Sequence, residues 1–325
     1  NNTDYSGNLT VTISSGSQSS STEITLTDDA ENEDIETLIV KYVNLDSEYQ
    51  SINDNYRITV NDDDFATSAW GTPINPTYGI VSSTAPSDYY SSLDGKSGQA
   101  LKDAITAIIA NSTEVKAQTY GDVWDIMKKG DINPENNNEV WLLYSEIGRS
   151  KSLQQGAGGS IGKWNREHIY PQSRGGFSDG TSTTADGIDV YMATDATHIE
   201  HGHSDAHHIR PTDSGENSSR NNNDYGAEYN GPTGNSGSWK GDVARSAMYM
   251  ALRYNVLSVV SGNPDNSTVG QLGDLENLLI WSSEDVPDDY EMNRNNVIYN
   301  WQNNRNPFID LPDLYSFVYV NKTAE

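Results

Sequence analysis

The hydrophobic pattern of the chain changes between residues 65 and 90, and this change limits the possible folds more than any other feature. Before it, apolar and polar residues alternate in short runs such as TLIVKYV at 37–43 and YRITV at 56–60. Alternation with a period of two predicts β-strands that bury one face. After it, apolar residues recur three or four positions apart, as at Leu101, Ile105 and Ile109, which predicts amphipathic helices. The predicted fold class is therefore α+β, with strands and helices in separate domains.

The length of 325 residues corresponds to about two domains. Residues 1–65 predict a small all-β, sandwich-like domain, and residues 66–90, with three prolines, predict a linker and domain entry. Residues 91–325 predict a second, mostly helical domain. Strands are predicted near 9–14, 22–26, 37–43, 56–60 and 139–147, and helices at 97–113, 122–129, 241–257, 272–285 and 289–305.

The segment WNREHIYPQS at 164–173 concentrates groups that can do chemistry. It sets Arg166, Glu167 and His168 side by side and ends near Pro171. Neighbouring residues of a strand point to opposite faces, so Glu167 and His168 can serve one site only where the strand ends or twists. The proline favours such an end. All six histidines lie between residues 168 and 208, a clustering that packing alone does not explain and that indicates a functional role.

The charge distribution decides which partners are compatible with the chain. A net charge of −27 argues against a polyanionic partner. However, residues 1–65 carry 14 acidic against 2 basic residues, whereas several arginines lie close to the histidines. A nucleic-acid partner is therefore compatible with this local basic region. The absence of cysteine excludes disulfides, thiolate metal sites and cysteine nucleophiles. No apolar run approaches the roughly 20 residues of a membrane-spanning helix.

Four blocks carry a resemblance to a known family. They are WNREHIYPQS at 164–173, DAHHIRPTDSGENSSRNN at 205–222, GDVARSAMYMALRY at 241–254 and DYEMNRNNVIYNWQNNRNPFIDLP at 289–312. In this order they resemble the bacterial endonuclease I family of secreted, non-specific ββα-metal (His-Me finger) nucleases. The resemblance covers roughly residues 80–315. It implies cleavage of DNA, with RNA as a further candidate substrate, to leave 5′-phosphate ends.

The resemblance also implies roles for individual residues. His168 is expected to be the general base, with its other ring nitrogen held by a backbone carbonyl. Glu167 and Asn217 are expected to bind one Mg²⁺-type ion, with Mn²⁺ or Ca²⁺ as substitutes, because two protein ligands leave room for water and phosphate. Five arginines are candidates for substrate binding: Arg166, Arg174, Arg210, Arg220 and Arg305. For Arg220 and Arg305 a structural role is equally compatible, a buried salt bridge in the case of Arg305. His207 and His208 are expected in the second strand of the motif, supporting it.

The N-terminal region resembles a different family. EDIETLIVKYV at 33–43 and YRITVNDDD at 56–64 are similar to the closing half of a Calx-β-like domain. The resemblance implies a partial domain in which acidic residues bind Ca²⁺ through oxygen ligands, and the candidates are Asp28, Glu31, Asp62 and Asp64. A solvated acidic rim is the alternative explanation.

Two other functions remain open from the sequence. The acidic N-terminal region is compatible with a calcium-dependent adhesion or matrix-binding module. The spacing of His198, His201 and His203 is compatible with a Zn²⁺ hydrolase, although a polar loop is the favoured interpretation. The absence of cysteine, together with the acidic surface rich in Asn, Ser, Thr and Gly, favours an exported bacterial protein, and the start without methionine or an apolar leader favours a mature or trimmed product. We expect a monomer, trimmed from a longer multidomain chain.

Overall fold

A computed structural model describes residues 5–8, 10–27, 36–40, 56–60, 64–156, 159–177 and 180–320 of the chain. It divides into two compact units, residues 1–65 and residues 66–325. The first unit contributes short strands, and the second combines helices with small sheets. The predicted α+β class is confirmed. Within these described ranges, no helix is long and apolar enough to cross a bilayer.

In its described residues, the first unit forms two pairs of antiparallel strands. Its strands are β1 (Tyr5–Gly7), β2 (Ile24–Leu26), β3 (Glu36–Val40) and β4 (Tyr56–Val60), with β1 paired to β2 and β3 to β4. The predicted strand at 9–14 is wrong for its described residues, 10–14. These residues pair with no described strand, and the chain turns directly after them, at residues 15–16, where the backbone N–H of Ser17 donates to the carbonyl oxygen of Ser14 at 2.9 Å. Of the candidate Ca²⁺ ligands, Asp28, Glu31 and Asp62 lie outside the described residues, so this site stays a prediction.

The second unit is built from short strands and longer helices. Its strands are β5 (Lys116–Ala117), β6 (Ile132–Asn133), β7 (Asn136–Leu142), β8 (Ile147–Ser150), β9 (Trp164–His168), β10 (Met192–Ala193), β11 (Ile209–Asp213), β12 (Ser258–Val259) and β13 (Gln271–Leu272). Its helices are α1 (Gly98–Ile109), α2 (Val123–Gly130), α3 (Gln172–Gly175), α4 (Ser214–Arg220), α5 (Lys240–Arg253), α6 (Leu275–Glu284), α7 (Asp289–Gln302), α8 (Pro307–Asp310) and α9 (Leu314–Tyr319). The five predicted helices correspond to α1, α2, α5, α6 and α7.

Helix α5 lies at the centre of the second unit. The sequence predicts an amphipathic helix, but nearly every residue of α5 is buried, including charged ones. The polar side chains are tolerated because they are paired: Asp242 Oδ2 lies 2.9 Å from Arg210, and Arg253 donates to Thr194 Oγ1 at 2.8 Å. Helices α1 and α6 pack on α5, and the main apolar core forms around them.

Residues 66–90 contain no helix or strand, yet they form part of the second unit and pack on its helix α7. Asp289, at the start of α7, accepts hydrogen bonds from the backbone N–H groups of Ile80 (2.9 Å) and Val81 (2.8 Å). Asn296 accepts from the backbone of Thr84 at 2.9 Å. This irregular segment therefore satisfies its polar backbone groups by hydrogen bonding to α7.

Two details of the predicted strands need correction. The predicted strand at 139–147 is two strands, because β7 ends at Leu142 and β8 begins at Ile147 in an antiparallel hairpin. His207 and His208 lie in a 3₁₀ turn, Ala206–His208, just before β11 rather than within it. The turn forms because the Asp205 side chain accepts a hydrogen bond from the backbone N–H of His207, at 3.1 Å.

Candidate active site

A strand pair followed directly by a helix carries the residues singled out in the sequence. Strand β9 pairs antiparallel with β11, and His168 at the end of β9 lies opposite Ile209. Helix α4 begins immediately after β11. Its start is fixed by Asp213, whose Oδ1 accepts hydrogen bonds from the backbone N–H groups of Gly215 (2.8 Å) and Glu216 (3.2 Å). Residues 40 or more positions apart in the chain are thereby brought together.

The two faces of β9 have different surroundings, as alternation along a strand requires. Asn165 and Glu167 face α4, since they contact Asn217 and Arg220 of that helix. Arg166 and His168 face away from α4, and both lie against the ring of Tyr120. Glu167 and His168 therefore start from opposite faces, and the strand ends directly after His168.

Glu167 is buried and only partly compensated. The residue is only 2% exposed. Its Oε1 accepts a hydrogen bond from the hydroxyl of Tyr144 at 2.8 Å. The nearest cation is Arg220, with Nε at 3.6 Å from the same oxygen. Burial raises the pKa of Glu167 to about 7, and Arg220 and Tyr144 oppose this shift without cancelling it. The contacts use Oε1, so Oε2 is the oxygen open to a further cation.

His168 is buried in an uncharged state. Its Nε2 lies 3.1 Å from the backbone carbonyl oxygen of His203. A carbonyl only accepts hydrogen bonds, so Nε2 carries the proton and Nδ1 is left as the basic nitrogen. Burial, reinforced by neighbouring His208, lowers the pKa of His168 well below its usual value. The expected backbone carbonyl partner is confirmed.

Asn217 lies on α4 next to β9. Its Nδ2 donates hydrogen bonds to Asn165 Oδ1 at 2.5 Å and to the carbonyl oxygen of Arg166 at 3.2 Å. These bonds hold the side-chain amide of Asn217 beside Arg166, the residue that precedes Glu167. They use the nitrogen of the amide, so its carbonyl oxygen is available to another ligand.

The donors at this position fit a hard divalent cation. Glu167 contributes a carboxylate oxygen and Asn217 an amide oxygen, the ligand types that Mg²⁺ prefers together with water and phosphate. The charge of buried Glu167 is only partly compensated, because Arg220 lies beyond hydrogen-bond distance, and such an ion would balance it. The residues present therefore fit the ion that the family resemblance implies.

The predicted substrate-binding arginines have different environments. Arg174, Arg210 and Arg305 are at most 2% exposed, and each is bound to a carboxylate. Arg174 pairs with Asp224 at 2.6 Å, and Arg210 pairs with Asp131 at 2.6 Å. In this structure a phosphate cannot reach them, so the prediction of substrate contact is wrong for these three.

The pairing of Arg305 confirms the alternative weighed for it. Its Nε and NH2 groups donate to the two oxygens of Asp310 at 2.6 and 2.8 Å, a bidentate buried salt bridge.

Arg220 and Arg166 lie on opposite sides of β9. Arg220 is fully buried, donates to the carbonyl oxygen of Ile169 at 2.7 Å and faces Glu167, so its contacts are structural. Arg166 is half-buried. Its guanidinium stacks 3.3 Å from the ring centroid of Tyr120 and 4.1 Å from that of Trp124. Of the five arginines, Arg166 alone combines partial exposure with a position beside His168.

The histidines of the run at 198–203 do not converge. The rings of His198 and His201 stack, with centroids 5.4 Å apart. His203 instead lies against Tyr120, 4.0 Å between centroids, and its Nδ1 lies 2.9 Å from the amide of Gln172. In the described part of the chain, no group of three or more His, Asp or Glu side chains is arranged to hold a metal ion. The geometry thus gives no support to a zinc site at this run.

Two residues of the site, Tyr144 and Tyr120, were not identified from the sequence, and a third, His203, was considered only as a Zn²⁺ ligand. Tyr144 follows β7 and Tyr120 precedes α2, so both reach β9 only through tertiary packing. His203 acts through its backbone carbonyl, which is independent of the side chain type. No local sequence pattern signals any of these contacts.

Comparison with known proteins agrees with this geometry. The endonuclease I family matches residues 97–239 and 233–313 of the chain. An extracellular ribonuclease of Bacillus amyloliquefaciens is 38% identical over 270 residues, which cover 76% of this chain and 84% of that protein. An extracellular ribonuclease of Bacillus subtilis (strain 168) is 39% identical over 246 residues, covering 69% of this chain and 76% of that protein. The chain belongs to the endonuclease I family and is a nuclease.

Proposed function

We propose that the protein is an extracellular, metal-dependent endonuclease that hydrolyses phosphodiester bonds in RNA and DNA to leave 5′-phosphate ends. The observation that carries this proposal is the state of His168. It is buried beside Glu167, its pKa is lowered by burial, and its Nε2 is bound to the carbonyl of His203. A general base for water must be neutral and must have a free ring nitrogen, and His168 meets both conditions.

His168 would accept the proton of the attacking water at Nδ1. The hydrogen bond from Nε2 to the carbonyl of His203 keeps the proton on Nε2 and fixes the plane of the ring. Tyr120 and Phe177 flank the imidazole, with ring centroids 5.4 and 5.9 Å away, and prevent it from turning. The chain thus presents one nitrogen, in one tautomer and in one orientation.

Glu167 and Asn217 would hold one Mg²⁺-type ion through Oε2 and the amide oxygen. When bound, such an ion stabilises negative charge on the phosphate and the leaving oxygen. Arg220 and Tyr144 keep Glu167 in position from the side of α4, and Asn165 does the same for Asn217.

Arg166 would contact a substrate phosphate. Its charge is held at the surface end of the site by stacking on Tyr120 and Trp124 and by a hydrogen bond to the carbonyl oxygen of Tyr120. Arginine offers two parallel donors that match two phosphate oxygens.

The proposals on substrate and location rest on the relatives. Both are named extracellular ribonucleases, which supports RNA as a substrate and export as the destination. DNA is included because the groups proposed here bind phosphate, and none of the described side chains of the site is assigned to a 2′-hydroxyl.

The test is a metal-dependence series on RNA and on plasmid DNA with the wild type, His168→Ala and Glu167→Gln. We expect cleavage that requires a divalent cation, a loss of about 100-fold or more in His168→Ala, and 5′-phosphate ends on the products. Full activity of folded His168→Ala would contradict the assignment of the base. Full activity in a chelator would contradict the metal. Cleavage of RNA but not DNA would restrict the substrate to RNA.

A further inference from the structure

The carboxylate of Glu167 is held by a residue outside the sequence blocks that resemble the family. Tyr144 lies two residues after the end of the hairpin strand β7 and is fully buried. Its hydroxyl donates a hydrogen bond to Glu167 Oε1 at 2.8 Å. Among the described side chains, Tyr144 is the one whose hydroxyl donates to this carboxylate. Arg220 is the cation that faces the same oxygen, with its Nε 3.6 Å from Oε1.

The hydroxyl of Tyr144 is itself fixed. It lies 2.8 Å from the hydroxyl of Tyr225, which in turn lies 3.2 Å from the carbonyl oxygen of Ile169. Each hydroxyl has one proton, and that of Tyr144 is donated to Glu167. The proton of Tyr225 is therefore shared between the hydroxyl oxygen of Tyr144 at 2.8 Å and the carbonyl oxygen of Ile169 at 3.2 Å, and the shorter contact with Tyr144 has no other donor. The chain of hydrogen bonds thus runs in one direction, from Tyr225 through Tyr144 to Glu167.

The ring of Tyr144 is equally constrained. Tyr229 and Trp239 contact it edge-on, each with its ring centroid 5.0 Å away. Such edge-to-face contacts favour one ring orientation. The hydroxyl is therefore a donor at a fixed point, and it fixes which oxygen of Glu167 is bound by protein.

We propose that Tyr144 is a positioning residue for the metal ligand Glu167, an inference that rests on the proposed function. By occupying Oε1 it directs Oε2 towards the ion and restricts the carboxylate to one rotamer. A ligand that is already oriented loses less conformational entropy when the ion binds. The role is to set the affinity for the divalent cation, and Tyr144 does not touch the substrate.

A purely structural role would give a different result, and the chain supplies a matched control. Tyr90 donates a hydrogen bond to Asp310 Oδ2 at 2.6 Å, and Asp310 is paired with Arg305 at 2.6 Å. This Tyr–carboxylate–Arg arrangement repeats that of Tyr144, Glu167 and Arg220 in a part of the fold that holds none of the proposed ligands. Tyr90→Phe removes the same kind of hydrogen bond as Tyr144→Phe.

The experiment is calorimetric titration of the full chain with Mn²⁺ and with Mg²⁺, using the wild type, Tyr144→Phe, Tyr90→Phe and Glu167→Gln. The binding heat that Glu167→Gln lacks is the signal of this site. We expect Tyr144→Phe to lower the affinity of that site by about 10-fold or more, and Tyr90→Phe to leave it unchanged. The Mg²⁺ concentration for half-maximal cleavage should rise in Tyr144→Phe, with a smaller change in kcat at saturating Mg²⁺.

The outcomes separate this inference from the proposed function. If Glu167→Gln binds the cations as the wild type does, the ion site itself is wrong and the inference falls with it. If the Glu167-dependent signal exists and Tyr144→Phe keeps the affinity of that site within a factor of about two, the site stands and the positioning role of Tyr144 is overturned.

Thermal unfolding without metal identifies any variant that does not fold. Should Tyr144→Phe be one, Tyr225→Phe tests the same hydrogen-bond chain one step further away, with a weaker loss of affinity expected and unchanged affinity contradicting the role.

Discussion

Burial acts on the two central residues of the site in complementary ways. It raises the pKa of Glu167 to about 7 and lowers that of His168 well below its usual value, so charge is disfavoured on both. For His168 the result is a neutral base held by a backbone carbonyl. For Glu167 the result is a carboxylate that needs a cation to stay ionised. Adjacent residues of one strand thus acquire different properties, which suit the roles of metal ligand and general base proposed for them.

The environment of Arg166 predicts a role in holding the substrate. Its half-buried guanidinium stacks on Tyr120 and Trp124, and burial lowers its pKa to about 10, which still leaves it charged at neutral pH. We expect Arg166→Ala to reduce kcat/KM by about 10-fold or more on both RNA and DNA, and to reduce the salt dependence of binding by about one phosphate contact.

Lys102, whose ammonium lies 5.3 Å from the ring of Tyr319, is the control for Arg166, because Lys102→Ala removes a cation from α1 rather than from the site. Rates measured across a series of NaCl concentrations compare the two variants. An unchanged salt slope in Arg166→Ala, or an equal effect of Lys102→Ala, would contradict the phosphate contact.

At the level of elements, a buried network of charges holds the strand pair against two helices. Asp131, directly after α2, contacts Arg210 of β11 at 2.6 Å and Arg294 of α7 at 2.9 Å. Arg294 also donates to the carbonyl oxygen of Ile209 at 2.6 Å. Arg210 and Arg294, which lie in two of the blocks that resemble the family, therefore fix β11, and with it the start of α4.

This network predicts a large loss of stability when its acid is neutralised. Asp131→Asn keeps the shape of the side chain but leaves two buried guanidinium groups without their shared partner. We expect the free energy of unfolding to fall by about 3–5 kcal/mol in urea denaturation. Asp125→Asn, which breaks an exposed pair at 3.9 Å with Lys128 near the other end of α2, should change it by less than about 1 kcal/mol. Similar small effects in both variants would mean that the network is not a source of stability.

A second cluster of charges, between α5, α6 and α7, predicts a dependence of stability on pH. Burial, followed by the charge of nearby Asp242, raises the pKa of Asp285 to about 8 and that of Asp288 to about 7. Burial also raises the pKa of Glu291 to about 8, against the opposing effect of Arg245. The folded protein therefore binds more protons than the unfolded chain between about pH 4 and pH 8, so the free energy of unfolding should fall as pH rises through this window.

Asp288→Asn tests this dependence without removing a cap. Asp288 accepts a hydrogen bond from the backbone N–H of Glu291 at 2.9 Å, and an asparagine oxygen can accept it as well. We expect the variant to be more stable than the wild type by about 1–2 kcal/mol at pH 9, since partial exposure screens the charges, and equally stable at pH 5. Asp274→Asn, the same change at the cap of α6, where hydrogen bonds lower the pKa of Asp274 despite burial, should give no such gain. Parallel stability curves for Asp288→Asn and the wild type would contradict the cluster's role.

Across the whole molecule, the sequence predicted what depends on local pattern. The class, the helices from α1 to α7 that are long enough to show periodicity, and the end of β9 near Pro171 all follow from spacing and from proline. The resemblance of four blocks to a family supplied the candidate residues, and the family itself is confirmed. The catalytic and metal-binding roles that this resemblance implies for Glu167, His168 and Asn217 stay a proposal.

The errors have a common physical origin. Arg174, Arg210 and Arg305 were predicted to face the substrate because a sequence shows charge but not the acid that neutralises it after folding. Helix α5 was predicted to have a polar face for the same reason. Tyr144 was missed because its contact with Glu167 joins residues 23 positions apart through packing of a hairpin on β9. Buried ion pairs and tertiary hydrogen bonds leave no periodic signal.

The division of the chain into two units predicts that nuclease activity belongs to the second one alone. The family matches lie between residues 97 and 313, and the larger unit begins at residue 66. The fragment should begin there rather than at residue 91, because residues 66–90 supply backbone hydrogen bonds to Asp289 and Asn296 of α7. We expect residues 66–325 to cleave RNA and DNA with kcat/KM within about twofold of the full chain at moderate salt, since removing the acidic first unit leaves the site intact.

A fragment starting at residue 91 should be less stable in thermal unfolding than the 66–325 fragment. The reason is that Asp289 and Asn296 lose the backbone N–H groups that donate hydrogen bonds to them. Inactivity of a folded 66–325 fragment would show that the first unit contributes to catalysis, and equal stability of the two fragments would show that residues 66–90 are only a connection.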